Sequence, residues 1–399
     1  MKKRDYLGAL DLGSQTITFL LAEVRNQHLN LIGHAQVDSK GMRKASLTDS
    51  KALTQVLSAL FDQLSKKYHA LPSQLYLSQS GNHMRNVQYE TTLSLKGFQH
   101  VINEHDIAQI IRLALKKELP EGDVFLHQFK QHFIVNNEIV SYPMGHTACQ
   151  LSVCYNGLFG KAQAIKDQLY AVNQFGFRVK ELTFSGIASA LATTTSVERE
   201  NGVCVIDVGA QMTEFVVYKG QQPCIMGTLP VGSQNFTYDL SSGLRIHSED
   251  AERLKIEHGI PAADLDNEQV WVLGNQSIGD KKIKLKNFRT ILQARTQELF
   301  DYIAKFIKSN GLNEPLLSGV ILTGGGALLK GIEKIAAQCL RCDCCVRGPL
   351  ASSDEALKSP SYSTCFGLLH SALQQKAVAA SNSTTPNLWE QLKSWFVKG

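Results

Sequence analysis

Two strand–turn–strand segments of the same design, roughly half a chain apart, constrain the fold more than any other feature. Residues 202–218 read GVCVIDVGAQMTEFVVY, in which one apolar run ends at DVGAQ and another follows MTE. Residues 6–24 read YLGALDLGSQTITFLLAEV and have the same order. Apolar runs on either side of a tight turn predict a strand, a turn and a returning strand. Because the unit occurs twice, we expect a duplicated domain.

The residues at these turns predict a site for a metal ion and a phosphate group. Gly209, matched by Gly13 in the first segment, permits positive φ and lets backbone N–H groups approach an anion closely. Asp207, matched by Asp11, ends its strand and can hold a hydrated cation beside that anion. Asp and Gly also fill ordinary hairpin turns. The repetition is what predicts two domains that close on one phosphate chain from both sides.

A third glycine signal occurs at residues 320–329, VILTGGGALL. An apolar strand runs into Gly324, Gly325 and Gly326, and a helical pattern follows. Glycine backbones and helix N-termini suit nucleotides. The segment is not a P-loop, because no Lys-Ser/Thr pair follows the glycines. A tight strand-to-helix turn without a ligand is the alternative interpretation.

Together these segments resemble the superfamily of actin, Hsp70 and the sugar kinases, whose two phosphate hairpins and one adenosine glycine turn surround ATP in a cleft. Within it the chain is most similar to the FtsA family of cell-division proteins. The resemblance is also carried by SKGM at 39–42, SGIAS at 185–189, AERLKIEHG at 251–259, YST at 362–364, GLL at 367–369 and a tryptophan-bearing C-terminal segment. It implies an α/β, actin-like duplicated ribonuclease-H-type fold, with two lobes around a nucleotide cleft and a small inserted α+β subdomain.

The resemblance implies ATP and Mg²⁺ as cofactors. Asp11 and Asp207 would act on Mg²⁺ through water, and Asp207 is the candidate catalytic residue. Glu252 and Lys255 fall where such proteins grip the adenosine and ribose. The residues implied to bind the nucleotide are Asp11, Gly13, Ser14, Gln15, Thr16, Asp207, Gly209, Ala210, Gln211, Gly232, Ser233, Glu252, Lys255, Gly324, Gly325 and Gly326.

The second hairpin departs from the family's glycine-rich pattern. Ala210 and Gln211 stand where Gly-Gly is usual, Met212 where Thr is usual, and Glu214 where Asp is usual. A Cβ at two consecutive turn positions restricts φ > 0, so we expect these side chains to hold the γ-phosphate off its donors. The chain is therefore expected to bind ATP and to be at most a weak ATPase.

The order of these segments predicts the domain boundaries. Short strand patterns around a helical stretch at 104–117 mark the insert, which the FtsA family carries here and actin does not. We expect subdomain 1A at 1–83, 161–195 and 354–375, the inserted subdomain 1C at 84–160, subdomain 2A at 196–230 and 300–353, and subdomain 2B at 231–299. Apolar residues at helical spacing also predict amphipathic helices at 49–67 and 286–308.

Composition places the chain among ordinary globular proteins of two or three domains. It has 399 residues, of which 43% are hydrophobic and 19% charged. The net charge of +5 is small for this length and the lysines are dispersed, so no nucleic-acid groove is indicated. The first apolar segment is interrupted at Asp11 and has no cleavage site, so it does not predict a signal peptide. We expect a cytosolic protein without a membrane span.

The nine cysteines agree with a reducing compartment, because their number is odd and their spacing shows no disulfide framework. Cys339, Cys342, Cys344 and Cys345 form a cluster that could be interpreted as a zinc or redox site. A structural zinc site needs a second, separated ligand pair, and neighbouring strand residues point to opposite faces. Small apolar residues are the favoured interpretation.

The C-terminus predicts a tethered membrane helix. Residues 376–386, KAVAASNSTTP, have too little apolar mass to order themselves and indicate a linker. In the following segment, 387–399, large apolar residues fall within an arc of roughly 120° at 100° per residue: Leu388, Trp389, Leu392, Trp395 and Phe396. Tryptophans suit the headgroup boundary. Packing of this helix on its own domain is the alternative.

The resemblance implies a cell-division protein that self-associates at the cytoplasmic face of the inner membrane, at the division site, and anchors the FtsZ ring during septum assembly. It implies four partners: the FtsZ C-terminal tail on 231–299, further copies of the chain near Arg295 and Glu298, membrane lipid through the C-terminal helix, and other division proteins through the insert. Gln293 stands where the family has a glutamate.

Two alternatives share the same cleft. A small-molecule kinase of this superfamily would need a carboxylate base that faces the γ-phosphate, and it would have no use for a tethered tryptophan helix. An actin-like adaptor of pilus assembly would also carry the insert but should lack the C-terminal helix.

Overall fold

The computed structural model describes residues 6–380, apart from 26–27, 69–71, 73, 96, 98–99, 261–266, 273–279, 313 and 353. Within that part, two five-stranded sheets form the centres of two lobes. No helix in it is long and apolar enough to cross a membrane. The predicted membrane helix, with Leu388, Trp389, Leu392, Trp395 and Phe396, lies outside the described residues and stays a prediction.

The N-terminal segment contains the first hairpin and the first long helix. Its elements are β1 (Tyr6–Leu12), β2 (Thr16–Arg25), β3 (His28–Asp38), β4 (Met42–Arg43), β5 (Ser46–Leu47), α1 (Ser50–Lys67) and β6 (Gln74–Gln79). The helix predicted at 49–67 is confirmed by α1. Asp49 caps it by accepting a hydrogen bond from the Ala52 N–H at 3.0 Å, and its apolar stripe is buried in the core of the lobe.

The insert forms a small α+β unit, as expected. Its elements are β7 (Arg85–Ser94), β8 (His100–Val101), α2 (Glu104–Leu115), β9 (Asp123–Val135), β10 (Glu138–Val140), β11 (Thr147–Ala148) and β12 (Gln150–Lys161). Four strands make an antiparallel sheet in the order β10-β9-β12-β7. The helix α2 covers it, and the two share a separate apolar core that includes Ile110 and Tyr155.

The rest of the chain completes the first lobe and builds the second. Its elements are α3 (Ala162–Asn173), β13 (Arg178–Phe184), α4 (Ser185–Thr193), α5 (Ser196–Asn201), β14 (Val203–Val208), β15 (Thr213–Lys219), β16 (Gln222–Leu229), α6 (Ser233–Leu244), α7 (Ser248–His258), β17 (Gln269–Val272), β18 (Lys281–Lys284), α8 (Leu285–Ser309), β19 (Val320–Thr323), α9 (Ile332–Leu340), β20 (Cys344–Val346) and α10 (Ser363–Ala380). A short 3₁₀ turn, Gly325–Leu328, follows β19.

The two lobes repeat one strand order. The first sheet has the order β3-β2-β1-β6-β13 and the second has β16-β15-β14-β19-β20. In each sheet the first three strands are antiparallel, and the last two run parallel to the central strand. The central strands, β1 and β14, carry the two hairpins. This confirms the duplicated α/β fold.

The last described helix, α10, returns to the first lobe and packs against α4 and β1. It extends to Ala380, so the tether predicted at 376–386 is wrong for its first five residues. The sequence KAVAA has high helix propensity and simply continues the helix. The predicted boundary between 2B and 2A at 299/300 falls inside α8, a single continuous helix.

The cysteine cluster lies at the edge of the second sheet. Cys339, Cys342 and Cys344 are partly buried and pack against the apolar core of that lobe. Cys345, the next residue of β20, is exposed. The alternation follows from the pleat of the strand and supports the interpretation of these residues as small apolar side chains.

Candidate functional site

A cavity of about 390 Å³ lies between the lobes, where β1 and β14 end. All the residues implied to bind a nucleotide line it except Gln211 and Gly232. Gln211 lines a smaller recess of about 90 Å³ that shares Asp11 and Asp207 with the main cavity. The structure therefore brings both hairpins and the glycine turn together around one space, as the sequence predicts.

The hairpin glycines are needed for close approach. A Cβ on Gly13 would lie 2.5 Å from the Thr16 carbonyl oxygen, and one on Gly209 would lie 2.9 Å from the Met212 carbonyl oxygen. Neither glycine has the positive φ that we expected. The expectation of positive φ was wrong. Glycine is needed for a different reason, because a backbone carbonyl folds back over it in each turn and leaves no room for a side chain.

The same correction applies to Ala210 and Gln211. Neither residue has a positive φ, so their side chains do not strain the turn. They act by filling space. Gln211 reaches across the cleft, where its Oε1 accepts a hydrogen bond from the Lys44 N–H at 2.7 Å, and its Nε2 donates to Gln234 Oε1 at 2.8 Å.

Two carboxylates face the cavity from opposite lobes, and of these Asp207 is buried and Asp11 is half-buried. Ser78 donates a hydrogen bond to Asp11, and burial raises the pKa of Asp11 to about 6, with a further contribution from Asp207. Asp207 accepts hydrogen bonds from Ser189 and, at 3.3 Å, from Thr364. Burial raises the pKa of Asp207 as well. Hydroxyl groups therefore fix the position of both side chains, and burial disfavours their charged, deprotonated forms.

Glu214 is a third acid in the recess, and the sequence prediction did not include it among the site residues. Ser80 donates a hydrogen bond to it. Burial, with the nearby Asp207 charge, raises the pKa of Glu214 to about 8. The sequence did contain a signal for Glu214, because it stands where the resemblance predicts an aspartate.

This donor set fits Mg²⁺. The ion prefers oxygen ligands and is usually held by one or two carboxylates together with water and substrate phosphates. Asp11 and Asp207 supply such carboxylates at the entrance of the recess. A cation between them would offset the cost of burial that raises the pKa of both acids, and the Asp207 charge that adds to the shift at Asp11.

The glycine turn after β19 packs tightly on the second hairpin. Gly324 has φ +82°, and a Cβ there would meet the Asp207 carboxylate. A Cβ on Gly326 would lie 2.6 Å from Val208 Cγ1, whereas one on Gly325 would have no heavy atom within 4 Å. Gly324 and Gly326 are thus required by packing, and Gly325 presents its open side to the cavity.

Glu252 and Lys255 of α7 form a linked pair at the far end of the cavity. Lys255 Nζ donates to Glu252 Oε2 at 2.6 Å, to Thr237 Oγ1 at 2.8 Å and to the Ser233 carbonyl at 3.2 Å. Burial lowers the pKa of Lys255, and the Glu252 carboxylate opposes that shift. The pair fixes α7 against α6 and holds a charged edge toward the cavity.

Gly232 does not line the cavity, and its role in nucleotide binding stays a prediction. A Cβ there would lie 2.6 Å from the Ala210 carbonyl oxygen. The residue lets the first turn of α6 dock on the second hairpin, where the Ser233 N–H donates to the Gly209 carbonyl at 2.9 Å and the Gln234 N–H to the Ala210 carbonyl at 2.8 Å. Ser233 itself reaches the cavity.

The match to family models identifies the chain. The model described as cell division protein FtsA matches residues 204–367, and the model of the SHS2 domain inserted in FtsA matches residues 81–156. Together they cover more than half of the sequence. The chain belongs to the FtsA family of cell-division proteins. Its insert is the SHS2 domain of that family, close to the predicted 84–160.

Curated FtsA proteins match this FtsA-family chain over nearly its whole length. The protein from Borreliella burgdorferi is 26% identical over 99% of this chain and 99% of its own. The one from Neisseria meningitidis serogroup B is 25% identical over 93% and 91%, and the one from Escherichia coli K12 is 25% identical over 99% and 98%.

Solved structures confirm the actin-like fold. A chain of the PilM–PilN type IV pilus biogenesis complex aligns with a TM-score of 0.62 at 16% identity, over 92% of this chain and 98% of that chain. MreB5 of Spiroplasma citri bound to AMPPNP aligns with a TM-score of 0.56 at 13% identity, over 94% and 99%. At these identities the likeness shows the fold alone.

Proposed function

We propose that the chain is an ATP-binding adaptor that self-associates on the cytoplasmic face of the inner membrane and anchors the FtsZ ring at the division site. The observation that carries the nucleotide part is the cavity between the lobes, lined by two acid-bearing hairpins and a glycine turn. The adaptor part follows from membership of the FtsA family.

In this proposal ATP lies in the cavity with its adenosine at the Gly324–Gly326 end and its phosphates between the hairpins. Asp11 and Asp207 would hold Mg²⁺ through water, and the ion would supply the positive charge that neutralises the phosphates. Gly13 and Gly209 keep the backbone close to the phosphates, and the Glu252–Lys255 pair borders the nucleoside end. Phosphoryl transfer needs mainly positioning and charge neutralisation, so Asp207 is the proposed catalytic residue of a slow hydrolysis.

The surface of 231–299 supports contact with the FtsZ tail. Lys282, Lys284 and Lys286 are exposed at β18 and the start of α8. Trp271, on the neighbouring strand β17, is 61% exposed, and Lys282 Nζ lies 5.6 Å from the centre of its ring. Exposed aromatic and basic side chains suit a partner segment that carries acidic and apolar residues.

The outer face of α8 supports self-association. Arg295 is held by ion pairs to Asp239 at 2.5 Å and to Glu298 at 2.6 Å. One turn beyond Glu298, Tyr302 is 57% exposed. A fixed Arg–carboxylate network beside an exposed aromatic ring is typical of an interface between protein chains.

One observation keeps a kinase as a second candidate. Glu214 is a carboxylate in the recess at the phosphate end, which is the group a small-molecule kinase would need. Against this, Ser80 already donates to Glu214, and about 90 Å³ leaves no room for a sugar beside the phosphate. Phosphorylation of a small molecule at enzymatic rates would favour the kinase.

Reconstitution on liposomes tests the proposed function. The full chain is mixed with ATP, Mg²⁺, liposomes and FtsZ, and the liposomes are sedimented. FtsZ should sediment only when the full chain is present, and Lys282→Glu combined with Lys284→Glu should reduce its recovery by about half or more. Exposed Lys51→Glu on α1 is the matched control. Liposomes that carry the chain but leave FtsZ in solution would contradict the proposal.

A further inference from the structure

A strained turn in the first lobe contacts both phosphate hairpins. Lys44 and Ala45 join β4 to β5 with φ +47° and +55°, values that residues other than glycine seldom adopt. Their N–H groups are used outside this small hairpin. The Lys44 N–H donates to Gln211 Oε1 at 2.7 Å, and the Ala45 N–H donates to Ser14 Oγ at 3.0 Å. Side chains from two lobes thus meet at one turn.

The turn borders the recess at the end of the main cavity. Ala45, Ser14 and Gln211 line this space, whereas Glu252, Lys255 and the Gly324–Gly326 turn line the main cavity and not the recess. A nucleotide with its adenosine at the glycine turn would therefore direct its last phosphate into the recess. A water molecule needs only about 10–15 Å³ of such space, so about 90 Å³ accommodates one phosphate group.

A buried hydroxyl in the recess independently indicates an absent ligand. Ser185 is 6% exposed and lines the recess, and its Oγ finds no hydrogen-bond partner among the described residues. A buried polar atom without a partner is costly. Ser14 Oγ accepts from Ala45, so its own proton is free to point into the same space. The recess therefore offers hydroxyl donors, and the Lys44 N–H lies at its border, where it donates to Gln211.

We infer that the Lys44–Ala45 turn recognises the terminal phosphate of a nucleoside triphosphate, and that Gln211 Oε1 replaces a phosphate oxygen on the Lys44 N–H when that phosphate is absent. This inference rests on the proposed nucleotide function. Hydrogen bonds to a charged acceptor are roughly twice as strong as neutral ones, so a phosphate oxygen displaces the amide. A diphosphate does not reach the recess and leaves Gln211 in place.

Amide hydrogen exchange of the full chain tests this contact without measuring hydrolysis. In Gln211→Ala the Lys44 N–H loses its acceptor, and its exchange should become at least about tenfold faster without nucleotide. Saturating Mg²⁺–AMPPNP should restore slow exchange, and Mg²⁺–ADP should not. The control is Gln163→Ala, which changes an exposed glutamine of α3. In this variant the Lys44 N–H should exchange at the wild-type rate.

Affinities for the same two nucleotides, measured by titration calorimetry, supply the second readout. Gln211→Glu places a fixed negative charge at the recess and should weaken AMPPNP binding by at least about tenfold while changing ADP binding by less than about twofold. Equal protection of Lys44 by ADP and AMPPNP, or no protection by bound AMPPNP, would overturn the inference. Failure of the wild type to bind either nucleotide would overturn both the inference and the proposed function, and calorimetry tells the two failures apart.

Discussion

Gly324 lies so close to Asp207 that a methyl group added to the glycine would be 2.1 Å from the Asp207 Oδ1 atom. The glycine turn after β19 and the acid of the second hairpin are therefore packed directly on each other. Any side chain at 324 must displace the carboxylate that is proposed to support the metal. The neighbouring Gly325 faces open space. A substitution at Gly324 therefore tests packing and stability, whereas one at Gly325 tests the proposed ligand binding.

We predict that Gly324→Ala lowers the free energy of unfolding by about 1–3 kcal/mol, because it combines a left-handed φ with a steric clash. Gly325→Ala, which meets no neighbour, should stay within about 0.5 kcal/mol of the wild type. Thermal and urea denaturation of both variants measure the difference. Equal stability of the two would contradict the packing described for the turn.

Glu181 is expected to make stability depend on pH. Burial raises its pKa from 4.5 to about 7, although Ser371 and Gln375 oppose the shift. The folded state therefore holds a proton that the unfolded state has released, so stability falls as pH rises from about 4.5 to 7, by up to about 3 kcal/mol. Above that range the loss is complete.

Glu181→Gln removes this titration. Relative to the wild type, the variant should gain stability between pH 5 and pH 8, by up to about 3 kcal/mol. Denaturation of both proteins at the two pH values is the measurement, and Glu104→Gln on the exposed start of α2 is the control. A difference between variant and wild type that is the same at both pH values would show that Glu181 does not titrate in this range.

Hydrolysis should respond to the side chains that fill the second hairpin. With Ala210→Gly and Gln211→Gly together, we predict that ATP turnover rises by at least about threefold, which needs only ~0.7 kcal/mol of barrier lowering. The reason is that Gln211 no longer competes with the terminal phosphate for the Lys44 N–H. Steady-state phosphate release measures the change. Unchanged turnover with intact ATP binding would mean that these side chains are not the obstruction.

The C-terminal segment should bind membrane independently of the fold. Deletion of 388–399 removes five large apolar side chains, each worth roughly 1.5–3 kcal/mol when fully buried. The truncated chain should keep its melting temperature and ATP binding but stay in solution when liposomes are sedimented, and Trp395→Glu should behave similarly. Loss of thermal stability with liposome binding intact would show that the segment packs on its own domain.

The fold was predictable from the sequence because its strongest signals are local. The two hairpins, the apolar stripe of α1 and the short strands of the insert each follow from residue periodicity, and the structure confirms them. The end of α10 was not predicted, because KAVAA lacks large apolar residues and its helical state continues from the preceding turns. Likewise, α8 continues across the boundary that was predicted between subdomains 2B and 2A.

The sequence predicted the turns and glycines of the candidate site, but not the side chains that reach it from other elements. Asp11, Asp207 and the residues of the glycine turn meet at one cavity, as expected. Sequence alone missed Thr364, Ser189 and the Lys44 turn, because their contacts depend on elements that are far apart in the chain. It also gave the wrong reason for Gly209, since carbonyl packing rather than φ excludes a side chain there.

The central claim is that the cavity between the lobes binds ATP with Mg²⁺, and titration calorimetry of the full chain tests it most directly. Wild type should bind ATP, with affinity that falls when Mg²⁺ is chelated. Asp11→Ala should bind about 10–100-fold more weakly through lost support of the metal, and Gly325→Val should bind about tenfold more weakly because its side chain fills the cavity. Both variants should keep the wild-type melting temperature within a few degrees. Unchanged ATP affinity in both variants would contradict the account.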